Sequence, residues 1–383
     1  FSTLPTPQIT DIFSMTVTFG IILGSYCLFV LILIAGWRRM ERSVVKGTGK
    51  LKLGISVVIA CRNEADNVEA LIESLSKLEY PKESFEVIFV DDHSTDDTVT
   101  KIKSGISGHF NFFLISNESA LHGKKQALQS GIAMARYDCM ATTDADCIVP
   151  TDWLSYISLF FENDNLQMLI GGVLQKRGNS LFARLQRMEF SSLIGVAAAS
   201  LGWGRAVLGN AANLAFRKTA FLEVNGYKGN LHIASGDDEF LIRKVAARFP
   251  GGISFMNFSE SWVSTLPMES VKDFFNQRLR WAGKWRHNTD PMSKVLAVYI
   301  LTVQWVWLLL LVRIFWNPDS LLIIAVIKVL AEAIYFFHIN RFQRTGFDGV
   351  TFLLLQIIYP FYVIFTGLFS LTGTFRWKDR KYK

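Results

Sequence analysis

Two carboxylates one residue apart, Asp144 and Asp146, lie in the stretch TTDADCIVP (residues 142–150), directly after a weakly apolar run. Held so close they repel each other. They belong either to a solvated turn or to a site where something positive bridges them. On an extended segment, residues i and i+2 point the same way, which would aim both carboxylates at one target. A pair of carboxylate ligands suits a hard divalent cation. Mg2+ or Mn2+ would keep its remaining positions for water and phosphate oxygens. Alone, Asp-x-Asp carries little weight, because solvated turns contain many such pairs. Its meaning depends on what else reaches the same place.

The elements upstream supply a frame. ISVVIA (55–60) and FEVIFV (85–90) are short, β-branched runs ending in polar clusters, and FNFFLI (110–115) and DCMATT (138–143) read as further strands. Helical patterns fall between them at 65–78, 97–104 and 124–136. Strands alternating with helices predict an α/β fold with a parallel sheet and helices on its faces. No GxGxxG follows the first strand, which argues against a dinucleotide-binding fold. In an open α/β sheet, ligands bind beyond the carboxyl ends of the strands. Those ends read ACRNE (60–64), VDDHSTDDT (90–98) and TTDADC (142–147). Three acidic clusters on one edge call for compensation by cations, base amides or a metal.

The chain has 383 residues, 50% of them hydrophobic, and its apolar residues are unevenly distributed. Residues 15–37 carry no charge and would rise roughly 35 Å as a helix, enough to cross a bilayer core. A signal peptide is the competing reading, but residues 1–10 contain no Lys or Arg. The basic residues come afterwards: Arg38, Arg39, Arg42, Lys46, Lys50 and Lys52. By the positive-inside rule residues 1–14 are extracytoplasmic and residues 53–285 cytoplasmic. Residues 294–375 hold two to three further apolar segments, at 295–312, 321–339 and 350–373, and 376–383 form a basic tail. Lys328 and Glu332 share a helix face and could neutralise each other in a bundle. Pro360 could break the last segment into a hairpin that returns the tail to the cytoplasm. Residues 181–200, with Arg184, Arg187 and Glu189, suit an amphipathic interfacial helix. The net charge of +7 sits largely beside apolar spans, so membrane lipid rather than nucleic acid is the expected partner. Four cysteines without a CxxC pair suggest neither a zinc site nor a disulfide framework.

Four more stretches complete a set: HGKKQALQSG (122–131), GNAANLAFRK (209–218), SGDDEFLIRK (235–244) and QRLRW (277–281). The whole resembles the membrane-bound inverting glycosyltransferases of family 2. That family includes polysaccharide synthases (cellulose, hyaluronan, poly-N-acetylglucosamine) and ceramide glucosyltransferases. The resemblance covers about residues 53–285 and rests on order and spacing: strand-end VDD, then DxD, then an acidic D-D-E, then QxxRW just before a membrane segment. It implies a GT-A nucleotide-diphospho-sugar transferase domain flanked by transmembrane helices. It also implies roles. Ala60, Arg62 and Glu64 match the loop contacting the nucleoside. Asp91 and Asp92 match the pair from which one carboxylate, here Asp92, accepts from uracil N3–H. Lys124 would lie near the donor, and Asp144 and Asp146 would hold Mg2+ or Mn2+ on the donor diphosphate. Asp238, with Asp237 beside it, stands where the family has its catalytic base, although the family often has Glu-Asp there. Gln277, Arg280 and Trp281 match QxxRW, with Arg facing the diphosphate and Trp offering a platform to the acceptor.

These residue types fit the chemistry. Displacement at an anomeric carbon needs an acceptor hydroxyl that loses its proton as it attacks, a task for a carboxylate. Charge building on the departing nucleoside diphosphate needs a metal and an Arg. Plainer readings exist: Arg280 and Trp281 as an interfacial anchor, Asp237 and Asp238 as a helix N-cap, His122 and His232 as structural or solvated side chains without ligand-like spacing. The expectation is an integral, multi-pass protein of a bacterial inner membrane, with its catalytic domain cytoplasmic. It would move a sugar from a UDP-linked donor to a lipid acceptor, with extension of a glycan as the alternative. A catalytically inactive scaffold is disfavoured because every acidic and QxxRW position is intact, and a transporter rests only on Lys328 and Glu332.

Overall fold

The computed structural model describes residues 9–45, 47–49, 52–118, 122–231, 236–283, 290–316, 321–370, 375–377 and 380–382. His232, Lys46 and Lys50 lie outside them. The chain divides into two compact units, one built on residues 36–276 and one on residues up to 35 with 277–373.

The first unit is the expected α/β body. Strands β1 (Ile55–Cys61), β2 (Phe85–Asp91), β3 (Phe112–Ser116) and β4 (Cys139–Thr142) run parallel in the order β3-β2-β1-β4. Crossovers hold helices α2 (Val68–Ser76), α3 (Thr98–Gly105) and α4 (Lys124–Met134). β1 and β2 are buried almost throughout, as strands covered on both faces must be, which is why they read as unbroken apolar runs.

Beyond β4 the pattern departs from the sequence reading. After the two-residue β5 (Cys147–Ile148) and α5 (Trp153–Phe161), the chain forms β6 (Met168–Ile170) and β7 (Val173–Gln175). The long α6 (Leu181–Gly202) leads to β8 (Leu214–Arg217), α7 (Lys218–Glu223), α8 (Asp237–Arg248), β9 (Ile253–Phe255) and β10 (Val263–Thr265). β8 joins the main sheet antiparallel to both β4 and β6, giving the order β3-β2-β1-β4-β8-β6-β9. β5, β10 and β7 make a separate small sheet. The stretch GNAANLAFRK serves this core. Asn213 accepts from Trp153 Nε1 at 2.9 Å and donates to the Gly172 carbonyl at 2.8 Å, while Arg217 Nε donates to the Leu166 carbonyl at 2.9 Å. α6 is half embedded in this unit. At Gly202 a Cβ would stand 1.9 Å from the Gly36 carbonyl oxygen, so only glycine allows α6 to meet the end of helix α1 (Ile9–Glu41) there.

The second unit contains the apolar part of α1, the end of α9 (Val271–Gly283), and helices α10 (Pro291–Trp316), α11 (Leu321–Phe342) and α12 (Gly349–Ser370). Among the described residues four helices, α1 and α10–α12, are long and apolar enough to cross a membrane. Phe19 and Leu23 of α1 pack with Val303, Val306, Trp307 and Leu310 of α10 and with Leu321 and Ala325 of α11. Much apolar surface faces outward, Ile21, Val298, Leu309 and Ile323 among it, as a lipid-facing bundle requires.

α12 runs unbroken through Pro360 instead of folding into a hairpin. Proline lacks an N–H, so the Gln356 carbonyl four residues earlier has no helical donor. Trp307 Nε1 of α10 supplies one at 2.9 Å. A neighbouring helix thus repairs the ladder that proline opens. The same glutamine side chain closes a buried polar network. Lys328 Nζ lies 2.9 Å from Glu332 Oε2 and 2.6 Å from Gln356 Oε1, Gln356 Nε2 donates to Glu332 Oε2 at 2.7 Å, and Tyr26 donates its hydroxyl to Glu332 Oε1 at 2.7 Å. Each charge therefore has a partner in the bundle, and α1, α11 and α12 are joined through it. After α12, β11 (Phe375–Trp377) and β12 (Arg380–Tyr382) pair antiparallel.

Candidate active site

Sheet register decides which residues reach the edge. Cys61 lies beside Asp91, Asp91 beside Ser116, and Val58 beside Thr142. The loops leaving these parallel strands carry Arg62 to Glu64, Asp92 and His93, Asn117, and Asp144. Ala60 remains in β1 beside Val90. Arg62 clamps two of the loops, donating from Nη1 to the carbonyls of Asp92 (2.6 Å) and His93 (2.8 Å). Glu64 ties them again: its N–H donates to Thr98 Oγ1 at 2.7 Å and its carboxylate accepts from Asn67 at 2.8 Å.

The two strand-end aspartates differ. Asp91 accepts from the Ser94 N–H at 3.2 Å. Asp92, 1% exposed, accepts from Asn117 Nδ2 at 3.0 Å and from the Gly123 N–H at 3.1 and 3.0 Å on its two oxygens. These bonds fix the carboxylate and set the start of α4, whose first residue is Lys124. Asn117 and Gly123 escaped the sequence reading, although the strand-end rule applied to the third strand points at Asn117. Asp96 holds loops, accepting from the N–H groups of Ala65 and Thr98, each at 3.1 Å.

Asp144 and Asp146 sit in a turn rather than on an extended segment: the Cys147 N–H donates to the Asp144 carbonyl at 3.1 Å. Thr143 and Ala145 are buried while the two aspartates are partly exposed, so both still reach accessible space. Lys124 aims its ammonium between two carboxylates, 2.7 Å from Asp144 Oδ1 and 2.8 Å from Asp237 Oδ2. Asp237 reaches it because Gly236, at φ +79°, turns the chain through the left-handed region just before α8. Asp237, Asp238 and Glu239 fill the first turn of that helix, where its dipole favours negative charge. The cap position is Gly236, not either aspartate. Asp238 is half-buried and accepts from the Glu239 N–H at 2.6 Å.

The Asp144–Lys124–Asp237 triad shapes its own titration. Burial works against each charge, but the two carboxylates outweigh it and hold Lys124 well above the usual lysine range. Burial alone would raise Asp237; Lys124, with Lys125 behind it, brings it down to about 2. Burial and the nearby Asp237 also push the Tyr227 phenol up, keeping it protonated. The stabilisation from Asp237 is complete above the ordinary 3.8 and is lost as pH falls toward 2. Acid unfolding of the wild type is therefore expected to steepen between about pH 4 and pH 2, and Asp237→Asn to flatten that part of the curve. Denaturant titrations followed by tryptophan fluorescence across this range would measure it.

The donor set fits a hard divalent cation. Asp144 and Asp146 offer carboxylate oxygens from an accessible turn, and the Lys124 ammonium shows that positive charge is accommodated against Asp144. Gln277, Arg280 and Trp281 fall one turn apart on α9, at the start of the helical unit. Arg278, which the motif reading passed over, is 3% exposed there, bonded to Gln277 Oε1 and placed 4.3 Å over the Trp281 ring.

Comparison with known proteins agrees with this architecture. Residues 56–245 match the family described as glycosyl transferase family 2. The chain is 27% identical over 281 residues to a poly-β-1,6-N-acetyl-D-glucosamine synthase of Staphylococcus aureus, covering 67% of this chain and 64% of that protein. The corresponding synthase of Staphylococcus epidermidis is 27% identical over 288 residues, covering 70% and 66%. The chain thus spans just under two thirds of the length of these relatives. Among solved structures, a mannosyltransferase of Pyrobaculum calidifontis in complex with GDP-mannose and Mn2+ superposes with a TM-score of 0.57 at 16% identity, over 93% of this chain and 98% of that one. Sequence motifs, sheet order and these matches converge: residues 56–245 match a family 2 glycosyltransferase domain, on a sheet of the GT-A kind.

Proposed function

We propose that this protein is a membrane-bound, metal-dependent inverting glycosyltransferase that moves a sugar from a UDP-linked donor to an acceptor at the cytoplasmic membrane face. The observation that carries the reading is the gathering of Asp92, Asp144, Lys124 and Asp237 at one sheet edge. Asp92, fixed by Asn117 and Gly123, presents a constrained acceptor to the N3–H of uracil. Asp144 and Asp146 hold Mg2+ or Mn2+, which supplies charge to the donor diphosphate; the mannosyltransferase structure contains Mn2+. Lys124 adds a second positive charge beside it. Asp238 takes the proton from the acceptor hydroxyl as that oxygen attacks the anomeric carbon. By the family resemblance, Arg280 would serve the diphosphate, and Gln277 and Trp281 the acceptor.

Similarity to the staphylococcal synthases favours a glycan acceptor. A membrane lipid is the second reading, because four helices among the described residues are long and apolar enough to hold the chain at a bilayer. Incubation with labelled UDP-sugars and membrane lipids separates them. A glycan acceptor yields label in a water-soluble polymer, and a lipid acceptor leaves it in the organic phase. Failure of Mn2+-dependent UDP release from any UDP-sugar would overturn the transferase itself.

Arg38 and Arg39 close the last turn of α1, so the catalytic unit is expected in the cytoplasm. A cysteine placed at exposed Ser104 should resist an impermeant maleimide in intact cells and react after permeabilisation. Cys61, Cys139 and Cys147 are buried, which keeps the background low. Labelling from outside would reverse the orientation.

A further inference from the structure

Two imidazoles stand beside the buried Asp92 carboxylate, and sugar transfer as proposed uses neither. His93 follows Asp92 directly, and His122 precedes Gly123, whose N–H binds both Asp92 oxygens. That contact draws two loops together. The rings of His93 and His122 meet edge to face, with centroids 4.3 Å apart and planes at 87°. One ligand atom from each of Asp92, His93 and His122 lies within 4.8 Å of the other two. His93 is held at φ +60°, in the left-handed region that non-glycine residues seldom adopt. Arg62 braces this turn, its guanidinium donating to the carbonyls of Asp92 and His93.

The geometry points to a binding site for a borderline transition-metal dication, of which Zn2+ is the natural probe, formed by Asp92, His93 and His122. Two imidazole nitrogens and one carboxylate oxygen are the ligands that Zn2+, Co2+ and Ni2+ favour, whereas Mg2+ and Mn2+ suit the all-carboxylate pair at Asp144 and Asp146. The carboxylate is already oriented by Asn117 and Gly123, as outer partners orient a metal ligand. Both histidines are exposed, which gives the ion an entry path and leaves its fourth position to water. Asp92 is also the carboxylate assigned to the nucleobase, so metal and nucleotide exclude each other; this consequence rests on the proposed function, while the site itself does not.

Calorimetry with Zn2+ on the full chain in detergent tests it. Wild type is expected to bind one Zn2+ that survives in the Asp144→Asn/Asp146→Asn double variant. His93→Ala and His122→Ala should each weaken that binding by roughly 10–100-fold or more, the range that even outer-partner changes reach. His122→Gln, which keeps a polar side chain at an exposed position, guards against misfolding and should weaken it equally. Unchanged Zn2+ affinity in the histidine variants, or its loss in the carboxylate double variant, overturns the site. Saturating uridine, which brings the nucleobase without a diphosphate that would itself chelate the metal, should abolish Zn2+ binding. If Zn2+ and uridine bind together, the metal site stands and the assignment of Asp92 to the nucleobase falls.

Discussion

Asp238→Asn is expected to retain Mn2+-dependent UDP binding while sugar transfer falls about 10²–10⁴-fold, or roughly 3–5 kcal/mol of barrier. Asparagine preserves shape and hydrogen bonding at the first turn of α8 and removes only basicity. The neighbouring Asp237 is less suited to the task. Its carboxylate is 8% exposed, ion-paired with Lys124 and held near 2, whereas a general base works best with a pKa near the working pH. Asp237→Asn should instead disturb Lys124, and with it both donor affinity and rate. Measuring UDP affinity and transfer rate for both variants separates the roles. Transfer by Asp238→Asn at near wild-type rate would move the base to Asp237. Loss of UDP binding in that variant would place Asp238 in the donor site.

Removal of the divalent metal should abolish transfer, and Mg2+ or Mn2+ should restore it, because Asp144 and Asp146 bring only oxygen ligands. Asp146→Asn should weaken metal-dependent UDP binding at least as much as the roughly 10–100-fold that outer-partner changes cost metal sites. The two effects are linked: in that variant, added Mn2+ should change UDP affinity little. Full activity in EDTA would remove the metal from the reaction.

The half of the catalytic unit before Asp144 was legible because its elements are regular. β1, β2, β3 and β4 lie within two residues of their expected bounds, as do α3 and α4, since parallel strands buried on both faces leave long apolar runs. The second half was not. β5 has two residues and β6, β7, β9 and β10 have three each, too few to show a period, and the reversal of β8 depends on pairing distant in sequence. At the edge, residue types were readable but not their attachments. Spacing brought Asp144 and Asp146 together, yet it could not show that Lys124 bridges Asp144 to Asp237, because the three come from a turn and two helix starts far apart in sequence. Pro360 misled for the same reason: the Trp307 indole that allows α12 to continue lies 49 residues away on another helix.

The polar network of the helical unit also bears on how the chain enters a bilayer. A lysine near the centre of an inserting helix opposes insertion by roughly 2.5–3.5 kcal/mol, and each Leu, Ile, Phe or Val returns only about 0.3–0.6. α11 carries Lys328 and Glu332 in its middle, so it is the poorest of the four segments to partition alone. Its partners emerge at different times during synthesis. Tyr26 of α1 is present before α11 is made and can meet Glu332 at once, whereas Gln356 is made 28 residues after Lys328. Release of α11 into lipid is thus expected to wait for the arrival of α12, the two helices entering as a hairpin. A chain ending before Gln356 would strand Lys328 with Glu332 alone and should be retained at the insertion machinery or degraded.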